Sequence, residues 1–155
     1  AWLMDSMMRD VIQRGTGVRA RALGRTDLGG KTGTTNDQKD AWFCGYNPSL
    51  VAVSWVGFDK LEPLGRGETG GRAALPMWMA YMGAALKGTP AINRRQPEGL
   101  VTVRIDPQSG LLARSGQADG IFESFRSGSV PTETAGGDGV GGGPSSVDDG
   151  SGELF

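Results

Sequence analysis

Apolar residues open the chain at steps of three and four: Leu3, Met4, Met7, Met8, Val11 and Ile12. That spacing predicts an amphipathic helix over 2–14, with Gly15 as a left-handed cap at its end. Residues 18–28 are basic and mixed, and read as a loop. The period then changes. Gly29 to Asn36 reads as a threonine-rich strand, Ala41 to Tyr46 as a second and Leu50 to Phe58 as a third. Asn47-Pro48-Ser49 is a hairpin-type turn. Strands joined by such short links form an antiparallel meander.

The glycines from Gly65 to Gly71 mark a loop, and Arg72 to Leu86 returns to a helical pattern. Leu75, Trp78, Met79, Met82, Ala85 and Leu86 are its expected buried face. Pro76 fits its first turn, and Gly88 with Pro90 stops it. Leu100 to Ile105 alternates as a short strand. Asp106 to Gly110 is a turn, and Leu111-Leu112-Ala113 is expected to return as the strand's partner. Phe122 and Phe125 are the last expected anchors. The order predicts an α+β fold, an antiparallel sheet packed by helices. Three stretches are expected: residues 1–97, a small hairpin segment over 98–126, and a flexible Gly/Ser/Asp-rich tail over 127–155.

Composition narrows the functions. Hydrophobic residues make up 37% of the chain and the net charge is −1. Without a basic excess the chain is not expected to bind nucleic acid. No apolar run approaches the ~20 residues that span a bilayer. Histidine is absent, which excludes Ser-His-Asp and Cys-His catalysis within this chain and speaks against a transition-metal site. No cofactor is expected. Cys44 is the only cysteine, so no internal disulfide forms; between Phe43 and Gly45 it reads as a small buried hydrophobe. The chain opens on Ala1-Trp2 inside a helical pattern, which reads as a cut point in a longer protein.

The chemistry concentrates at Gly30-Lys31-Thr32-Gly33-Thr34-Thr35. On a strand, Lys31 and Gly33 face one way, and Thr32 and Thr34 the other. The backbone of an edge strand can pair with an extended peptide. Gly33 leaves room for that peptide, the threonine hydroxyls can donate to a carboxylate, and Lys31 attracts it. A backbone N–H here can also serve an oxyanion hole. A phosphate loop does not fit, because position 25 is Arg25 where G-x-x-x-x-G-K-[ST] needs glycine.

The flanks carry a resemblance. Gly17-Val18-Arg19-Ala20 precedes the strand. Asp40-Ala41-Trp42-Phe43-Cys44-Gly45-Tyr46, Trp55-Val56-Gly57-Phe58-Asp59 and Gly67-Glu68-Thr69-Gly70-Gly71-Arg72-Ala73-Ala74 follow it. Together they resemble the carboxy-terminal half of the transpeptidase domain of class A (bifunctional) penicillin-binding proteins, and residues 98–131 resemble the segment after it. The resemblance implies a penicillin-binding-protein/β-lactamase-like fold on the periplasmic side of a bacterial cell membrane. It also implies serine acyl transfer from D-Ala-D-Ala stem peptides, inhibited by β-lactams. Lys31 would then neighbour a serine of a second motif, assist proton traffic and attract the donor carboxylate. Thr32 and Thr34 would bind that carboxylate, with Gly33 and Thr35 in the same substrate-binding strand. The Thr34 N–H would be one oxyanion donor.

Such enzymes also need Ser-x-x-Lys and Ser-x-Asn. No serine of this chain has lysine three places on, and none has asparagine two places on. The resemblance therefore implies a partner, the upstream part of the same protein, that carries both motifs and covers an apolar face of the meander. A non-catalytic peptidoglycan-binding or scaffold module is the alternative.

Overall fold

The computed structural model describes residues 1–136; the expected flexibility of residues 137–155 lies outside the described residues. The chain divides into two compact units, Ala1–Leu100 and a second beginning at Val101.

In the first unit, helix α1 spans Trp2–Gln13. Its inward face departs from the apolar stripe. Ile12 is fully buried, but Met4 and Met7 are each 54% exposed and Asp5 is buried. Asp5 tolerates burial because its carboxylate accepts the Tyr46 phenol (2.9 Å) and pairs with Arg9 (2.9 Å). Burial, then the Asp5 hydrogen bond and charge, push the Tyr46 phenol up to about 12. Gly15 is not the expected left-handed cap. The helix ends at Arg14 with φ −144°, and Gly15 is absent from the glycines at positive φ. A Cβ on Gly15 would lie 2.9 Å from the Val11 Cα, so close approach is what requires glycine there. Part of the expected basic loop is a 3-10 helix over Val18–Leu23, ended by Gly24 at φ 66°.

Strands β1 (Gly29–Thr34), β2 (Asp40–Asn47) and β3 (Leu50–Gly57) form the predicted antiparallel meander, in the order β1-β2-β3. Register fixes the faces. Ala41, Phe43, Gly45 and Asn47 of β2 point to the buried side. Phe43 meets Trp78 edge to face, with ring centroids 4.9 Å apart, worth about 0.5–1.5 kcal/mol beyond the area they bury. On the other face Trp42 lies opposite Trp55 and Cys44 opposite Val53. Trp42, Val51, Val53 and Trp55 are all exposed there. Cys44 is exposed too, against the expectation of a buried thiol, because alternation turns it away from Phe43.

Helix α2 (Leu75–Ala85), entered through a π-helical turn at Gly70–Ala74, covers the buried face with Leu75, Trp78, Met82 and Leu86. Ala85, expected in that face, is exposed. A buried ion pair ties the segment after α2 to the approach to β1. Arg25 grips Asp27 with two hydrogen bonds (2.9 and 2.8 Å) and also donates to the Thr89 carbonyl (2.8 Å). Asp27 further accepts the Ile92 N–H (3.1 Å).

In the second unit, β4 (Leu100–Ile105) pairs with β5 (Ile121–Arg126). The expected partner, Leu111–Ala113, gives only an isolated bridge from Leu112 to Ile105, and Leu112 bridges onward to Thr134. Phe122 is no anchor; it is 70% exposed on β5. Residues 127–136, placed in the tail by composition, include a 3-10 turn at Ser127–Ser129 and the buried Ala135. The predicted turn at Asp106 forms. Its carboxylate accepts the Ser109 N–H (2.7 Å), the Ser109 hydroxyl (2.8 Å), the Gln117 amide (2.6 Å) and the Gln108 N–H (3.1 Å). These bonds, led by those of Ser109, hold its pKa down at about 2.

Candidate functional site

β1 is an edge strand, with β2 on one side only. Its ladder begins where the Thr35 N–H donates to the Asp40 carbonyl at 3.0 Å. Antiparallel pairs alternate between hydrogen-bonded and open. In this register Gly33, Lys31 and Gly29 direct their backbone groups at β2, so Thr34 and Thr32 direct theirs to the free edge. The Lys31 ammonium lies along that edge, donating to the Thr32 carbonyl at 2.9 Å.

The side chains of Thr32 and Thr34 leave on the helix-covered face, as alternation predicted, and line one cavity of about 470 Å³. The segment after α1 contributes Gly15, Thr16, Val18 and Arg19 to its wall, and the loop before α2 contributes Thr69, Gly71 and Arg72. Thr34 Oγ1 accepts the Gly70 N–H at 3.0 Å, which leaves its own proton to donate. Thr32 Oγ1 shares a hydrogen bond with Thr16 Oγ1 at 2.8 Å. Two cations and four hydroxyls line the cavity and no acidic residue does, so it suits an anion.

The remaining sequence-predicted residues sit differently. Lys31 leaves the strand on the open sheet face opposite Cys44, but its ammonium curls over the edge to within 3.4 Å of Thr32 Oγ1, at the rim of the cavity. Gly33 lies opposite Trp42, and its backbone is approached by Gly70. The Thr35 hydroxyl accepts the Asp40 N–H at 2.8 Å, which fastens the strand end. In the turn that follows, Asp37 and Gln38 adopt left-handed backbone (φ 60° and 56°), uncommon without glycine. Gln38 holds the next loop in place, its carbonyl accepting the Leu64 N–H (2.9 Å) and its side chain the Gly67 N–H (2.5 Å). Sequence reasoning had given Thr16, Arg19, Thr69 and Arg72 no role. Their one signal was membership of, or closeness to, the runs that carry the resemblance. Among the described residues no group of three His, Cys, Asp or Glu side chains could hold a metal ion, and no helix is long and apolar enough to cross a membrane.

Antiparallel strands packed by helices make the unit an α+β fold. Comparison with known proteins agrees. The chain superposes on the crystal structure of penicillin-binding protein 1A from Haemophilus influenzae with a TM-score of 0.77 and 39% identity, covering 86% of this chain and 21% of that one. It is 55% identical over 131 residues to penicillin-binding protein 1A of Pseudomonas aeruginosa, and 45% identical over 146 residues to that of Vibrio cholerae. Those alignments cover 84% and 85% of this chain. Residues 96–136 match the family described as penicillin-binding protein 1A, C-terminal domain. The chain is thus a relative of the carboxy-terminal region of class A penicillin-binding proteins, as its motifs implied. It spans 16% and 18% of the length of those two curated relatives.

Proposed function

We propose that this chain supplies the substrate-binding strand of a peptidoglycan D,D-transpeptidase whose nucleophile lies upstream in the same protein. The observation that carries the reading is the geometry of β1. One free edge presents the Thr34 N–H, while Thr32 and Thr34 put two hydroxyls into one cationic cavity. A donor peptide ending in D-Ala-D-Ala pairs with the edge as an added strand. Its terminal carboxylate takes the hydroxyls of Thr32 and Thr34. Gly33 gives the peptide room, and Thr35 anchors the strand end. The upstream serine attacks the carbonyl between the two alanines. The carbonyl oxygen becomes an oxyanion and accepts from the Thr34 N–H and from the serine's own N–H. D-Ala leaves with a proton, and an amine of a neighbouring strand takes the acyl group. Lys31, with its ammonium along the edge, raises the affinity for the carboxylate and relays protons beside the second-motif serine. A β-lactam enters as a mimic of the donor and acylates the same serine.

The exposed Trp42, Val51, Val53 and Trp55, and the unpaired edge of β3, are the surface for the upstream part. The enzyme works at the periplasmic side of the bacterial cell membrane, anchored outside this segment. The test is acylation of the longer protein by a fluorescent penicillin. A hydrogen bond to a charged group is worth about 1.5–3 kcal/mol, so losing both hydroxyls costs about 100-fold or more. Replacing both hydroxyls in a T32V/T34V variant is expected to slow acylation about 100-fold while the protein stays folded. Unchanged labelling would remove the strand from the site. Absence of labelling in the unmodified protein would favour the non-catalytic module.

A further inference from the structure

The turn after β1 carries a strain that the reaction leaves unexplained. Asp37 and Gln38 stand in succession in left-handed backbone, at φ 60° and 56°. Glycine holds that conformation without side-chain crowding, so a turn needed only to reverse the chain has no use for glutamine at 38. The contacts that Gln38 makes over-determine its backbone instead. Its N–H donates to the Thr35 carbonyl (3.1 Å), and its own carbonyl accepts the Leu64 N–H (2.9 Å). Its half-buried side-chain oxygen accepts the Gly67 N–H (2.5 Å). Residues 58–69, between β3 and the π-helical turn, form no helix or strand. Among the described residues, the hydrogen bonds that tie this stretch to β1, β2 or the turn between them both end on Gln38.

The tie continues to the site. The Gly67 carbonyl accepts the Thr69 N–H (3.0 Å), and the Thr69 carbonyl accepts the Arg72 and Ala73 N–H groups (2.9 and 2.8 Å). Between them the Gly70 N–H donates to Thr34 Oγ1 (3.0 Å), which turns the hydroxyl's own proton away from Gly70. We propose that Gln38 is a positioning residue for acylation, holding the Gly67–Gly70 turn so that the Gly70 N–H aims the Thr34 hydroxyl. This rests on the transpeptidase reading, in which that hydroxyl donates to the substrate carboxylate. Without the side-chain acceptor the stretch is held to the turn at Leu64 alone, and Gly70 no longer fixes the direction in which Thr34 donates. Gln38 itself touches no substrate and acts through Thr34.

The experiment is a double-mutant cycle on the longer protein. Acylation by a fluorescent penicillin is followed in time, and stability is read separately by urea unfolding. Q38M keeps the side-chain length and removes the acceptor. It is expected to slow acylation about 10-fold, the cost of one hydrogen bond to a charged group, and T34V to slow it by at least as much. Q38M/T34V is expected to be no slower than T34V, because the two side chains act in series. Q38E keeps an oxygen towards Gly67 and is expected to recover most of the rate. Q38G relieves the left-handed backbone; it is expected to unfold with the unmodified protein and yet acylate as slowly as Q38M. Losses from Q38M and T34V that multiply in the double variant overturn the proposal. So do Q38M and Q38G rates equal to that of the unmodified protein, or rates that merely follow stability across the variants. Each of these leaves the transpeptidase reading intact, whereas normal acylation by T34V overturns both.

Discussion

Replacing Gly70 by alanine adds a methyl group over the hydrogen-bonded pair that joins β1 to β2. Its Cβ would lie 2.3 Å from the Trp42 carbonyl oxygen and 2.5 Å from that of Gly33. Both are backbone atoms, so no side-chain rotation relieves the contact. The π-helical turn must retreat from β1 by roughly 0.7 Å to reach even a tight contact, and the Gly70 N–H then loses Thr34 Oγ1. Overpacking of this kind costs about 1–3 kcal/mol and the hydrogen bond adds about 1 kcal/mol. A total near 2–4 kcal/mol is expected from chemical denaturation of the longer protein. Function should suffer as well, since misplacing a site by about 1 Å can cost on the order of 100-fold. Acylation by a fluorescent penicillin, followed in real time, is therefore expected to slow by about 10- to 100-fold. Gly71→Ala is the graded comparison, because its nearest neighbour is the Thr16 carbonyl oxygen at 3.0 Å; about 1 kcal/mol is expected there. If G70A unfolds and acylates like the unmodified protein, Gly70 is not wedged against β1 and the site is not built as described.

Two further perturbations test the frame around the strand. Burial alone would raise the Asp27 pKa, but the Arg25 hydrogen bonds and charge, the Ile92 N–H and the Asn47 amide outweigh it and hold the carboxyl below its ordinary 3.8. Its stabilisation is therefore complete above the ordinary carboxylate range and lost as pH falls through the lowered value. D27N is expected to cost about 3 kcal/mol at pH 7 and to flatten the acid limb of a urea-unfolding series; equal stability at both ends would contradict the buried pair. Tyr46 works in the opposite sense. Its phenol is raised from 10.0 to about 12, so its contribution is complete below pH 10 and fades as pH climbs towards 12. An ultraviolet titration should show Tyr46 ionising late, and Asp5→Asn should bring it earlier; an identical titration in the variant would refute the Asp5 bond.

Periodicity made the meander and both helices legible, because each buries one face and the apolar spacing states which. The errors fell where a polar group or a distant partner decides the outcome. Asp5 takes an inward position on α1 because Tyr46, far along the chain, offers a phenol. Cys44 was misjudged from its neighbours, although strict alternation from Phe43 places it outside. Leu111–Ala113 looked like the partner of β4 because it follows at hairpin distance, whereas β5 lies further along and takes the pairing. Residues 127–136 have too few apolar groups to announce order, and Ala135 is held partly by backbone, its N–H bonded to the Leu112 carbonyl at 2.9 Å. At the site, Lys31 to Thr35 stood out as a motif. Thr16, Arg19, Thr69 and Arg72 did not, because no local pattern shows that the segments on either side of β1 close over one face of the strand.

The most direct test of the central claim is the position of the covalent adduct. The longer protein is labelled with penicillin, digested and mapped by mass spectrometry. The account predicts a single acylated serine in a Ser-x-x-Lys peptide upstream of Ala1, with residues 1–155 unmodified. An adduct on any serine within these 155 residues would contradict it.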